Sequence, residues 1–157
     1  DSKVMPLKAR MEALDLITST CDFCISEASV EEIDEINILH ASMLAMKRAV
    51  EGLRATPQLA LVDGNRAPKL NCASQTIVKG DSRSLSIAAA SVLAKQHRDA
   101  LMKELDLAEP QFGWKQNKGY PTLAHRNAIV EHGISRHHRR SFAPIRHICE
   151  QEQKPTP

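Results

Sequence analysis

Leu59-Ala60-Leu61-Val62-Asp63-Gly64-Asn65 and, with its acid eighteen residues further on, Ile77-Val78-Lys79-Gly80-Asp81-Ser82-Arg83 decide how this chain is read. Each is a short apolar run with strand character that meets an aspartate beside Gly or small polar residues. In an open α/β sheet, ligands gather at the carboxyl ends of the strands. Two acids placed at neighbouring strand ends can share one divalent cation. Asp-Gly and Gly-Asp are also ordinary turn chemistry, and either acid alone reads that way. The pair, with the segment that follows it, favours the metal.

That segment, Ser84-Leu-Ser-Ile-Ala-Ala-Ala-Ser-Val-Leu-Ala-Lys95, predicts a helix over 84–106 built from small residues. Small side chains let a helix lie close against a sheet or a substrate backbone. Working outward, Leu7, Met11, Leu14 and Ile17 have helical spacing over 6–18, and residues 19–27 read as a strand. Ser29-Val30-Glu31-Glu32 is a capping box opening a long helix. Ile33, Ile36, His40, Met43, Lys47, Val50 and Leu53 track one side of it, with His40 as a packing residue, until Gly52 and Pro57 stop it. Strands are expected at 58–63 and 75–79 around the loop 65–70, then helices at 121–132 and near 144–150. Strands separated by helices argue an α/β layer fold.

At 157 residues, 42% hydrophobic and 25% charged, the chain has the size of one globular domain. The expected organisation is an α/β core over 1–110, a basic helical region of the same domain over 111–150 and a frayed tail over 151–157. The net charge of +2 hides an asymmetry. Gln111 to His147 holds seven Lys or Arg against the single acid Glu131, whereas residues 1–110 carry thirteen basic and sixteen acidic side chains. The basic part suits a phosphate backbone and the acidic part a divalent cation, although a basic stretch is also an ordinary solvated face. No apolar run approaches the roughly 20 residues that cross a bilayer. A soluble, cytoplasmic monomer with no membrane partner is expected.

Cys21 and Cys24 have zinc-like spacing, but on a strand residues three apart face opposite ways, and Cys72 and Cys149 are isolated, so the thiols are read as incidental. Gly64-Asn-Arg-Ala-Pro-Lys69 lacks the second Gly and the following Ser or Thr of a phosphate-binding loop. The histidines show no metal spacing with a carboxylate, and Arg136, Arg139 and Arg140 around His137-His138 point to a surface or phosphate-facing role. Tyr120, the only tyrosine, sits in the turn-like Lys118-Gly119-Tyr120-Pro121 and reads either as core filling or as a surface ring.

Several stretches together resemble one family. Val62-Asp63-Gly64-Asn65-Arg66, Val78-Lys79-Gly80-Asp81, Ser86 to Lys95 with Arg98-Asp99, Lys118-Gly119-Tyr120-Pro121-Thr122 and His138-Arg139-Arg140-Ser141-Phe142-Ala143-Pro144 are similar, in order and spacing, to the signatures of bacterial ribonuclease HII. Glu31 to Leu53 resembles it too, so the likeness spans nearly the whole chain. The resemblance implies an α/β, ribonuclease H-like fold with a C-terminal helical region. It also implies endonucleolytic hydrolysis of RNA in RNA–DNA hybrids and of ribonucleotides embedded in duplex DNA, with 5′-phosphate and 3′-hydroxyl ends.

Hard carboxylate oxygens select Mg²⁺ or Mn²⁺. By resemblance Asp63 and Asp81 are catalytic metal ligands, and Tyr120 stacks on the sugar beside the ribonucleotide. Nucleic-acid contacts are expected from Lys118, Asn65, Arg66, Lys79, Arg83, Arg139 and Arg140. Family members begin with a strand bearing an Asp-Glu pair and a Gly-Arg-Gly loop, whereas this chain opens at Asp1-Ser2-Lys3, with Val4 and Met5 where the family shows Lys-Leu. An N-terminally incomplete ribonuclease HII is expected, lacking the first strands of the sheet and inactive as given. The alternative is a non-catalytic hybrid-binding remnant.

Overall fold

The structure, a computed structural model, describes residues 4–143 and 145–147. The elements run α1 (Leu7–Thr20), α2 (Val30–Glu51), β1 (Leu59–Asp63), β2 (Ala73–Ile77), a 3₁₀ turn (Gly80–Ser82), α3 (Leu85–Ala108), a second 3₁₀ turn (Pro110–Phe112), α4 (Trp114–Asn117) and α5 (Leu123–His132). Residues 143 and 145–147 are helical as well. The rest of the turn expected at 144–150, the tail, Cys149 and the opening Asp1-Ser2-Lys3 lie outside the described residues. The mixture is α/β and rich in helix, as the sequence predicts, and no described helix is long and apolar enough to cross a membrane.

The chain divides into two compact units, residues 1–27 with 42–98 and residues 28–41 with 99–157. In the first, β1 and β2 pair in parallel, Leu59 opposite Ala73 and Asp63 opposite Ile77, through a loop over 64–72. Val62, Ile87, Val92 and Leu93 are its buried apolar residues. The second is built on Met102, Phe112, Trp114, Ile129 and Ile145. Phe112 and Trp114 lie 5.7 Å apart between ring centroids.

Four expectations are corrected. Residues 19–27 are not a strand: α1 continues to Thr20, and among the described residues no strand lies beside 21–29 to supply a ladder. That stretch is tied by single bonds instead, the Arg54 amide to Asp22 (3.0 Å), Arg48 to the Glu27 carbonyl (3.0 Å) and the Glu27 carboxylate to His97. The alternating-face argument for Cys21 and Cys24 therefore falls, and both thiols are free. β2 ends at Ile77 rather than 79, because Lys79 turns left-handed (φ 55°, ψ 42°).

The long helix is broken. The capping box forms, with the Ser29 amide donating to Glu32 (2.8 Å) and the Glu32 amide to Ser29 Oγ (3.2 Å). Asn37, however, has φ 64° and ψ 165°, and its Oδ1 accepts from the amides of Leu39 and His40, so it caps a second helical stretch. The break shifts the helical register, and the single stripe fails there: Ile33 is buried, but His40 is exposed and fills no core. His138, finally, is not on the surface but 5% exposed.

Candidate active site

β1 ends at Asp63, just after the buried Val62, because Gly64 follows with φ 105°, a turn open to glycine. The Gly64 amide returns to the Ile77 carbonyl (3.0 Å), holding the turn beside the end of β2. From there Val78 and left-handed Lys79 lead into the 3₁₀ turn that carries Asp81. The two acidic loops meet where the Gly80 N–H donates to Asp63 Oδ1 at 2.7 Å. Gly80 is buried, and a Cβ there would lie 2.5 Å from Ile87 Cδ1, so α3 and the Asp63 carboxylate approach it closely. The small-residue helix thus packs against the acidic turn.

Asp63 is exposed and Asp81 half-buried. Asn65 and Arg66 lie exposed in the loop after Asp63, and Lys79 and Arg83 are exposed on either side of Asp81, with the Arg83 guanidinium 3.5 Å from the Val78 carbonyl. The donor set is made of hard carboxylate oxygens and suits Mg²⁺ or Mn²⁺ in kind. In number it is two acids: no group of three His, Cys, Asp or Glu that could hold a metal is found among the described residues. Asp63 and Asp81 therefore fit such an ion as two members of a larger ligand set.

Lys118, Tyr120, Arg139 and Arg140 belong to the second unit. The four-residue α4 is bounded by two left-handed residues, Gly113 (φ 63°) and Lys118 (φ 54°). Asn117 is buried, with its Nδ2 donating to the Phe112 carbonyl (2.6 Å) and its Oδ1 accepting from the Gly119 amide (2.8 Å). This puts Tyr120 66% exposed, the surface ring of the two readings. Thr122 Oγ1 caps α5 by accepting from the His125 amide (3.2 Å).

Arg139 and Arg140 follow a segment fixed by a residue not singled out from the sequence, Asp34. Its carboxylate accepts from the Arg140 amide (2.9 Å), the Ser141 amide (2.9 Å) and Ser141 Oγ (2.6 Å). Partial burial raises its carboxyl, but the bonds from Ser141 and Arg140 outweigh that and hold it below the ordinary range. The signal was an acid inside the capping-box helix, where solvation is the usual role. The Arg139 guanidinium sits 5.1 Å over the Phe142 ring.

Comparison with known proteins bears on this geometry. A family model for ribonuclease HII matches residues 1–145. Over 154 residues the chain is 51% identical to ribonuclease HII of Paracoccus denitrificans (strain Pd 1222), covering 97% of this chain and 73% of that protein. It is 53% identical over 147 residues to ribonuclease HII 1 of Methylibium petroleiphilum, covering 93% of this chain and 74% of that one. The crystal structure of ribonuclease H2 from Pyrococcus horikoshii superimposes with a TM-score of 0.76 at 22% identity, over 99% of this chain and 82% of that chain, which establishes the likeness of fold. A match of this extent and identity, over a fold of the same kind, means that the chain belongs to the ribonuclease HII family.

Proposed function

We propose that this chain carries part of the active site of an endonuclease that hydrolyses RNA in RNA–DNA hybrids and ribonucleotides embedded in duplex DNA. The observation that carries the reading is the Gly80 N–H bond to Asp63 Oδ1, which joins the two acidic loops at the end of a parallel strand pair. Asp63 and Asp81 are the residues that hold a divalent cation, Mn²⁺ or Mg²⁺. Such ions, held by Asp63 and Asp81 with further carboxylates, would supply activation of a water and stabilisation of the leaving oxygen of an in-line displacement. The chain's own contribution is to orient Asp63 through the Gly80 amide and to hold Asp81 on a 3₁₀ turn packed by Ile87.

Arg66, Lys79 and Arg83 give the acidic loops exposed cations for phosphate, and the second unit has exposed Arg140 with half-buried Lys118 and Arg139. Asn65, next to the Asp63 turn, is read as a polar contact to the backbone. Tyr120 presents an exposed ring to the sugar beside a ribonucleotide. Such stacking reads no sequence but senses the sugar, because a 2′-hydroxyl changes how closely a ring can approach.

Two acids do not assemble a two-metal site, so the 157-residue chain alone binds hybrid without cleaving it. The family strand bearing the Asp-Glu pair, joined ahead of Asp1, completes the set and confers cleavage. The test incubates both forms with Mn²⁺ and a duplex labelled beside one embedded ribonucleotide. Cleavage at that nucleotide by the joined form only is expected. Cleavage at catalytic rates by the 157-residue chain would sink the two-acid reading, and inertness of both would favour a non-catalytic binding role.

A further inference from the structure

Tyr120's ring is 66% exposed, yet its backbone is held on both sides. Its N–H donates to the Asn117 carbonyl (2.8 Å), and its own carbonyl accepts from the Thr122 amide (2.8 Å) and lies 3.0 Å from His125 Nδ1. His125 Nε2 in turn lies 3.0 Å from His138 Nε2, and the Ser135 amide is 3.0 Å from His138 Nδ1. These contacts admit one arrangement of protons on two neutral rings. A backbone amide only donates, so His138 Nδ1 is bare and its proton sits on Nε2. That proton goes to His125 Nε2, which leaves the His125 proton on Nδ1, facing the Tyr120 carbonyl.

We propose that His125 and His138 are positioning residues for Tyr120, a two-imidazole relay anchored on the Ser135 amide that fixes the carbonyl of the sugar-sensing tyrosine. The inference rests on the reading of Tyr120 given above. Both rings are nearly buried, 4% and 5% exposed, between Phe112 and Trp114, the Phe112 and His138 centroids being 4.8 Å apart and those of Trp114 and His125 4.9 Å. Two polar rings in such a pocket cost desolvation that an apolar pair would avoid; what they supply instead is direction, one donor aimed at one carbonyl.

The relay is sensitive to acid. Burial first, then the neighbouring His125, push the His138 ring down to about 4, with His137 acting the same way and Glu109 acting against them. Glu109 stands beside the site because its carboxylate accepts from Ser135 Oγ (2.6 Å). Those are the charged or titratable groups acting on His138; Phe112 and Trp114 carry none. A proton added to His138 Nδ1 opposes the Ser135 amide. The unfolded chain protonates this histidine first, near 6.5, so the contribution is complete above that pH and is lost as pH falls towards about 4.

Tyr120 is the only tyrosine, so carbonyl-¹³C tyrosine gives one signal that reports this bond. The second readout, in EDTA, is the binding preference of the chain for a duplex with one embedded ribonucleotide over the all-DNA duplex. In the wild type the signal should move, and the preference fall, as pH is taken down through about 4 while circular dichroism shows a folded chain. At neutral pH His125→Phe should shift the signal and cut the preference about tenfold. His125→Asn, whose amide nitrogen can stand where Nδ1 stood, should restore both.

A folded His125→Phe chain with the wild-type signal overturns the relay and leaves the role of Tyr120 intact. If that variant does not fold, the wild-type titration decides, and a signal that stays flat in the folded chain overturns the relay. Wild-type and Tyr120→Ala chains with equal preference overturn the reading of Tyr120 instead, while the carbonyl signal still answers for the bond.

Discussion

The acidic loops and the tyrosine loop are held in opposite ways. At Asp63 the side chain proposed for chemistry is itself part of the scaffold, accepting the Gly80 amide, and it remains exposed. At Tyr120 the ring supports nothing; the scaffold is the backbone, fixed by the buried side chains of Asn117 and His125. The difference follows from what each group must meet. A carboxylate attracts its cation over a distance and needs only one oxygen anchored. A neutral ring has no such field, so its approach is set beforehand by the main chain. Arg139 and Arg140 fall between these cases, with their segment steadied by the Asp34 carboxylate while Arg140 is exposed and the Arg139 guanidinium lies over Phe142.

The largest effect that would break this comparison is on turnover. In the form completed with the Asp-Glu strand, Asp63→Asn or Asp81→Asn should each leave less than about a tenth of kcat, a loss above roughly 1.4 kcal/mol, measured on an embedded-ribonucleotide duplex. Asn at 63 keeps an oxygen for the Gly80 amide, so folding should change little. Either variant retaining most of its turnover would remove that acid from the metal site.

Next in size is the buried scaffold of the other loop. Trp114 is 3% exposed at the centre of the aromatic cluster, and Trp114→Ala should lower unfolding free energy by about 3–5 kcal/mol in urea titration. Asp63→Asn in the same assay should cost under about 0.5 kcal/mol, as an exposed substitution does. Equal losses would erase the distinction between the two loops.

The smallest effect concerns Asp34. Its bonds are exposed, so Asp34→Ala should cost only about 1 kcal/mol at neutral pH. Its carboxyl is held below the ordinary value of 3.8, so the contribution is present above that pH and is lost as pH falls through the lowered value. The gap in urea midpoint between wild type and variant should therefore close as the pH is taken below about 3.8. A gap that persists in acid would make the effect one of packing rather than of charge.

Much of this was legible in the sequence for physical reasons. Ser29 and Glu32 spell a capping box whose two bonds are local, and the short apolar run that meets Asp63-Gly64 marks a strand and its end. That Asp63 ends its strand and Asp81 lies in a turn beyond its own could be read because Asp-Gly and Gly-Asp are turn chemistry. What escaped depends on partners distant in sequence. The stretch 19–27 has strand composition, but a strand exists only beside another. Asn37 breaks α2 through one backbone conformation that helical spacing does not encode. His138 looked solvated among arginines, and only the fold, by bringing His125 and Phe112 to it, makes it interior.

Three non-glycine residues among those described have positive φ, and the two in the left-handed helical conformation are lysines, Lys79 and Lys118. Each is followed by glycine and then by a residue of the proposed site, in Lys79-Gly80-Asp81 and Lys118-Gly119-Tyr120. For an L side chain that conformation is uphill by roughly 1–2 kcal/mol, a cost that glycine would avoid. The fold thus tolerates local strain twice to carry an ammonium group at the shoulder of a working turn. In energetic terms, these are places where comfort of the chain has been exchanged for charge, one in each unit, and a search for phosphate contacts within either unit would start from its own lysine nitrogen.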